Sequence, residues 1–270
     1  MLAEKKKRKQ PIKRFSLFDK KGNDMKIIAE LHTHTSDYCT HASATIDQFV
    51  KAAIEKGFKY YAATNHSPIV DTRAPHNFYL DNLDRHYDGI KFLAGMEADI
   101  RDLYGGFDMS QVDLLGLDFV IASIHFLPLG LPDYTNAYVK AAENPAVDCL
   151  GHIARAPDFP CDIETVLKAV KANGKLVEFN DASISDANRR RVKECGAVMD
   201  MCAKLGVDSI VTTDAHSLDR LGNNAVTLKL LEDKNFPEEL IVNASEERME
   251  AFLTRRKAEK KKALDALFTV

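Results

Sequence analysis

The amino-acid sequence predicts an α/β barrel of seven parallel strands in a single domain, and three observations carry that prediction. Short apolar runs alternate with segments of helical period along most of the chain, the pattern of consecutive βαβ units. Seven such runs can be counted, each ending in a His, Glu, Asp or Asn. The length of 270 residues is close to the roughly 250 that one barrel of this class needs.

In chain order, residues 1–24 read as a basic tail or hairpin. Nine Lys or Arg through Lys21 face only Glu4 and Asp19, and the front part has no apolar periodicity, so a solvated tail or a nucleic-acid arm is expected there rather than core. Residues 15–18, a turn at 21–24 and residues 25–31 suit a hairpin leading into the first strand. The barrel is expected over 25–270. Its apolar runs are 26–31 ending at His32, 60–64 ending at His66, 91–96 ending at Glu97, 118–124 ending at His125, 147–151 ending at His152, 176–179 ending at Asn180 and 209–213 ending at Asp214. Helical periodicity fills 46–56, 80–90, 134–142, 163–172, 188–205 and 225–231, with Gly57, Gly174 and Gly206 as C-terminal stops. The last segment, 245–268, opens on a capping sequence at Ser245 and reads as a packing helix with a basic outer face.

A composition of 45% hydrophobic and 29% charged residues can bury a sizeable core. The formal charge of −3 excludes nucleic-acid or membrane affinity driven by global charge, though not a local basic patch. Five cysteines, Cys39, Cys149, Cys161, Cys195 and Cys202, are odd in number and include no CxxC pair. Neither a disulfide framework nor a cysteine zinc site is therefore expected, and a reducing, cytoplasmic setting fits best. With no export signal and no apolar run of about eighteen residues, no membrane partner is expected. The sequence does not reveal an oligomeric state.

Polar residues at the C-terminal ends of parallel barrel strands converge on one mouth, where barrel enzymes keep their chemistry. Seven of the nine histidines, His32, His34, His41, His66, His125, His152 and His216, lie at or just after the predicted strand ends, with Glu97 and Asp214. Residues i and i+2 of a strand share a face, so His32/His34 and Asp214/His216 each offer two donors side by side. A single histidine is more often a satisfied core residue; nine candidates placed alike are not. His76 and His86 fall outside the pattern. Nine donors exceed the four that one zinc ion takes, so two or three ions are implied, and imidazole mixed with carboxylate suits zinc, manganese or iron. Phosphoester hydrolysis is the chemistry that most needs such a cluster, which can activate a bridging water and neutralise phosphoryl oxygens.

The stretches Glu30-Leu31-His32-Thr33-His34-Thr35, Thr64-Asn65-His66-Ser67-Pro68, Gly95-Met96-Glu97-Ala98-Asp99-Ile100, Ile121-Ala122-Ser123-Ile124-His125, Gly151-His152 and Thr213-Asp214-Ala215-His216 resemble the polymerase and histidinol phosphatase (PHP) family. Within it, the pattern looks most like the small stand-alone bacterial phosphatases with a trinuclear metal site. The resemblance implies a distorted (β/α)7 TIM-like barrel. It also implies one metal on His32, His34, Glu97 and Asp214, a second on Glu97, His125 and His152, and a third on His41, His66 and His216. The family usually has Asp where this chain has Asn65, which bears on the third site. Glu97, His66 and Asp214 are expected to carry catalysis, with Arg155 as the phosphate clamp; Arg73 and Arg189-Arg190-Arg191 are weaker candidates. Glu178 and Asn180 are expected to hydrogen-bond a ligand or water, or to cap their strand.

The expected activity is hydrolysis of a small phosphomonoester by a metal-bridged hydroxide. The alternatives are a phosphodiesterase or 3'-5' exonuclease on nucleic acid, an amidohydrolase, and a non-catalytic metal-binding module.

Overall fold

A computed structural model describes residues 25–71, 80–125, 133–153, 159–185 and 189–269. The expected tail with the first arm and turn of the hairpin, Arg73, His76 and Arg155 lie outside these residues. Seven strands form one sheet in sequence order: β1 (Ala29–Glu30), β2 (Tyr60–Ala63), β3 (Lys91–Asp99), β4 (Phe119–Ser123), β5 (Cys149–Leu150), β6 (Leu176–Asn180) and β7 (Ser209–Thr212). All neighbouring pairs are parallel, and each strand falls in one of the seven apolar runs. β3 runs three residues further than its apolar stretch because Glu97 and Asp99 continue the ladder opposite Ile121 and Ser123.

Alternation along the strands divides the core in two. Tyr60, Ala62, Leu93, Phe119, Ile121, Cys149, Leu176 and Ile210 gather with Met249, Phe252 and Leu253 of the last helix, and form the barrel interior. The intervening residues, including Tyr61, Val120, Leu150, Val177 and Val211, pack with Phe49, Tyr138, Leu167 and Met199 of the helical layer. Continuing the interior phase by two residues at a time brings Leu93 to Glu97 and Leu176 to Glu178, so the apolar floor gives way to carboxylates towards the strand ends.

The surrounding helices are α1 (Ile46–Glu55), α2 (Leu80–Leu83), α3 (Gln111–Gly116), α4 (Thr135–Glu143), α5 (Ile163–Ala172), α6 (Asp181–Ser185), α7 (Arg189–Leu205), α8 (Ala225–Asp233) and α9 (Glu246–Leu267). α1 begins with a reciprocal Thr45/Gln48 capping box. Gly57, Gly174 and Gly206, which follow α1, α5 and α7, take φ of 79°, 59° and 65°, a conformation that other residues pay to adopt. The helix expected over 80–90 ends at Leu83. Beyond it the chain turns at Gly89, whose φ is 86°, and Tyr87 bridges Ile90 in antiparallel fashion. No helix among the described residues is long and apolar enough to cross a membrane.

The barrel is nearly closed. β1 and β7 share no ladder; they meet where Thr33 bridges Ala215, with His34 N–H donating to Ala215 O at 2.9 Å. Below that point Asn243 completes the seam. Its Nδ2 donates to Ala29 O at 3.0 Å and Val211 O at 2.6 Å, its Oδ1 accepts from Val211 N at 3.0 Å, and its carbonyl accepts from Ile28 N at 2.9 Å. One buried amide thus does the work of a missing stretch of strand.

At the opposite end α9 is pinned by charge. Arg256 Nε donates to Asp148 Oδ1 at 2.8 Å, Lys260 Nζ pairs with Asp148 Oδ2, and Lys260 Nζ also donates to Leu117 O at 3.0 Å. The basic face expected to be solvated therefore turns two of its cations inward, since Asp148 and free carbonyls at the strand starts need donors. Replacing Asn243 with Ala strands three buried backbone groups, each costing about 1–3 kcal/mol. The expected loss is about 3 kcal/mol, read as a lower urea midpoint with an unchanged m-value.

Candidate metal centre

Glu97 is the hub of the mouth. Its Oε2 lies 2.8 Å from His66 Nδ1, 3.3 Å from His32 Nε2 and 3.5 Å from His34 Nε2, and its Oε1 lies 2.9 Å from His152 Nε2 and 3.5 Å from His125 Nε2. Asp214 Oδ1 is 3.0 Å from His34 Nε2 and 3.7 Å from both His32 Nε2 and His216 Nδ1. The ends of β1, β2, β4, β5 and β7 and the body of β3 thus deliver eight of the nine expected donor residues to one place. His152 and Asp214 have φ of 28° and 51°, in the left-handed region that non-glycine residues seldom occupy. Such strain persists where surrounding contacts enforce it, and here it lies at two members of the cluster.

Among the described residues, three donor groups at the mouth are tight enough to hold an ion: His32, His34 and Glu97; His66, Glu97 and His125; and His34, His66 and His216. His32 Nε2, both ring nitrogens of His34, His66 Nδ1, Glu97 Oε2 and Asp214 Oδ1 are buried with no hydrogen-bond partner. One unpaired buried polar atom costs about 1–3 kcal/mol, so six in one place call for a shared partner. A divalent cation fits that donor set of imidazole and carboxylate.

The electrostatics fit the same reading. Burial alone would discharge His32, but Glu178, Glu97 and Asp214 outweigh it and hold its pKa well above the ordinary imidazole value. Burial also opposes ionisation of Glu97 and Asp214, yet the imidazoles prevail and both carboxyls stay well below their usual range. His34 is driven well below it by burial and by His66 beside it. Positive charge is therefore demanded at the centre.

A supporting layer orients these donors. Glu178 Oε1 accepts from His32 Nδ1 at 2.5 Å and from Thr212 Oγ1 at 2.6 Å, and its Oε2 accepts from His152 N at 2.7 Å. Asn180 Nδ2 donates to Asp214 Oδ2 at 3.2 Å. Asp99 Oδ1 accepts from His125 N at 2.8 Å and lies 3.1 Å from its Nδ1. Glu30 accepts from Thr213 N and Oγ1, next to Asp214, and burial pushes its pKa up to about 7. Asp99 and Glu30 were not assigned roles from sequence, although the Glu97-Ala98-Asp99 spacing places both acids on one strand face. Asn65 is a backbone pin: its Oδ1 accepts from Thr35 N at 2.7 Å and its Nδ2 donates to Thr35 Oγ1 at 3.1 Å.

One expected donor stands apart. His41 is exposed and its ring nitrogen groups with Cys39 and Asp71, while His34 groups with His66 and His216. The turn that carries it is closed by Tyr38 and Cys39, which both donate backbone N–H to Thr35 O, and two residues after His41 the chain is tied to the mouth where Ser43 N–H donates to His216 O at 2.9 Å. His86 is also exposed, away from the cluster.

Comparison with known proteins agrees with this geometry. The PHP domain family matches residues 30–182. A probable phosphatase of Acetivibrio thermocellus is 35% identical over 86% of this chain and 98% of its own, and one of Caldicellulosiruptor saccharolyticus is 37% identical over 83% and 95%. The crystal structure of histidinol phosphate phosphatase from Lactococcus lactis, complexed with zinc, L-histidinol and phosphate, superposes with a TM-score of 0.58 at 18% identity, covering 78% of this chain and 95% of that one. A fold of seven parallel strands with its donors gathered at one mouth, and relatives matched along most of their length, establish that the chain belongs to the PHP domain family.

Proposed function

We propose that this chain, a phosphatase of the PHP family, hydrolyses a small phosphomonoester using two to three divalent ions of zinc, manganese or iron. The ions would be held by His32, His34, Glu97 and Asp214, by Glu97, His125 and His152, and by His66 and His216 together with His41, as the family pattern implies. The observation that carries this reading is the position of Glu97, whose two carboxylate oxygens face different sets of imidazoles. That is the arrangement a bridging ligand needs. The probable phosphatases among the relatives support the phosphoester class, and the zinc, histidinol and phosphate of the Lactococcus lactis protein support a small ester.

Bound divalent ions would supply Lewis acidity, lowering the pKa of a water and drawing charge from phosphoryl oxygens. The protein's own part is positional. Among the described residues, His32, His34, Glu97 and His152 are buried, whereas the side chains of His66, His125, Asp214 and His216 are 13%, 14%, 19% and 32% exposed. These four make the open edge at which a phosphate would enter. Asn180 fixes Asp214 there through its second oxygen, leaving Oδ1 free to face the centre. Arg155, three residues beyond His152 in sequence, is retained as the proposed cationic clamp, because a guanidinium can pair with phosphate in bidentate fashion.

Turnover of p-nitrophenyl phosphate and of a panel that includes histidinol phosphate, by protein loaded with zinc, manganese or iron, tests the proposal. Activity lost to a chelator and restored by metal is expected; failure on every ester in all metal forms would overturn it. Glu97→Gln should lower kcat by about 10²–10³-fold and reduce the bound metal measured by elemental analysis. Glu178→Gln touches no ion directly but loosens His32 and His152. It should cost about 10–100-fold in metal affinity or activity, visible in a metal titration.

A further inference from the structure

We propose that Arg101 is a positioning residue for the ion that His125 would hold, acting through the carboxylate of Asp99. The inference rests on the reading that the mouth binds divalent ions. Asp99 follows Glu97 by two residues on β3, shares its face of the strand and is fully buried. Its Oδ1 accepts from His125 N at 2.8 Å and lies 3.1 Å from His125 Nδ1, and its Oδ2 accepts from Arg101 Nη1 at 2.7 Å. A line thus runs from Arg101 through Asp99 to His125, whose other ring nitrogen, Nε2, faces Glu97 Oε1 at 3.5 Å.

A histidine that binds a metal through one ring nitrogen is oriented by the acceptor that takes the proton of the other, and Asp99 is placed to serve His125 in that way. A buried carboxylate is itself unfavourable unless its charge is compensated. A neutral imidazole offers it a hydrogen bond but no charge, so compensation falls to Arg101, the cation that pairs with Asp99 among the described residues. A short turn keeps the guanidinium in place. Ile100 bridges Phe107, Arg101 N–H donates to Gly106 O at 2.7 Å, and Asp102 Oδ1 accepts from the N–H groups of Tyr104 and Gly106 at 2.8 and 3.0 Å. Gly105, with φ of 75°, packs on α4 so closely that a Cβ there would lie 2.6 Å from Lys140 Cβ. Arg101 therefore reaches Asp99 from outside the cluster of imidazoles, with its own side chain 30% exposed.

The test is zinc binding by the full chain, read as zinc per chain by elemental analysis after equilibrium dialysis at buffered free zinc. In Arg101→Ala the midpoint of one zinc equivalent should move to about 10–100-fold higher free zinc, with the others staying in place. Arg101→Lys, which keeps the charge but not the planar fork, should recover part of that shift. Because Arg101→Ala leaves a buried carboxylate without its cation, Asp99→Asn, which has no charge to compensate, gives a second reading. It should weaken the same equivalent, and adding Arg101→Ala to it should shift the midpoint no further, since Arg101 acts through that carboxylate. A wild-type curve for Arg101→Ala, or additive losses in the double variant, would overturn the inference and leave the metal reading standing. A wild-type chain that takes up no zinc would overturn both.

Discussion

The structure turns on one buried carboxylate that is surrounded by imidazoles. Glu97 Oε2 accepts no hydrogen bond, yet five histidines approach the carboxylate within 3.5 Å. A negative charge out of water must be compensated where it sits. The rest of the mouth follows from that need. Imidazoles face the acid, and a second layer of Glu178, Asp99 and Asn180 holds the imidazoles and Asp214 by their remaining polar atoms. The pKa directions express the same balance, with His32 pushed up and Glu97 and Asp214 pushed down.

The barrel divides its labour between two ends. At the strand starts, Arg256 and Lys260 of α9 anchor Asp148, and Met249, Phe252 and Leu253 seal the interior. Apolar burial and a compensated ion cluster there face no functional demand. At the strand ends polar atoms are left unpaired and backbone is strained at His152 and Asp214, features that cost stability and would serve no purpose in a merely structural barrel. The chain thus concentrates its favourable contacts at the end remote from the chemistry.

Much of this was legible in the sequence, for definite reasons. The seven strands could be found because each is a short apolar run bounded by a donor residue, and His32/His34 and Asp214/His216 because strand geometry puts alternate residues on one face. α3 and α6 escaped notice because helices of six and five residues are too short for a 3.6-residue period to register. The helix read over 80–90 was too long because periodicity alone ignores the positive φ that Gly89 adopts. His41 could not be placed, since its direction depends on hydrogen bonds within a turn. The inward cations of α9 were hidden because a basic helix ordinarily faces water; only the location of Asp148 reveals why two of them do not.

The seam between β1 and β7 has a further meaning. His32 and His34 stand on one side of it and Asp214 and His216 on the other, and across it at the mouth run the bridge from Thr33 to Ala215 and the hydrogen bonds of Thr213 to Glu30. An ion gripped from both sides would act as a clasp on a loop of some 180 residues, joining the beginning of the ring to its end. Closing so long a loop is entropically costly for a free chain. Metal occupancy and the integrity of the whole ring would thereby be coupled, and the cofactor would be a fastening of the architecture as well as a reagent.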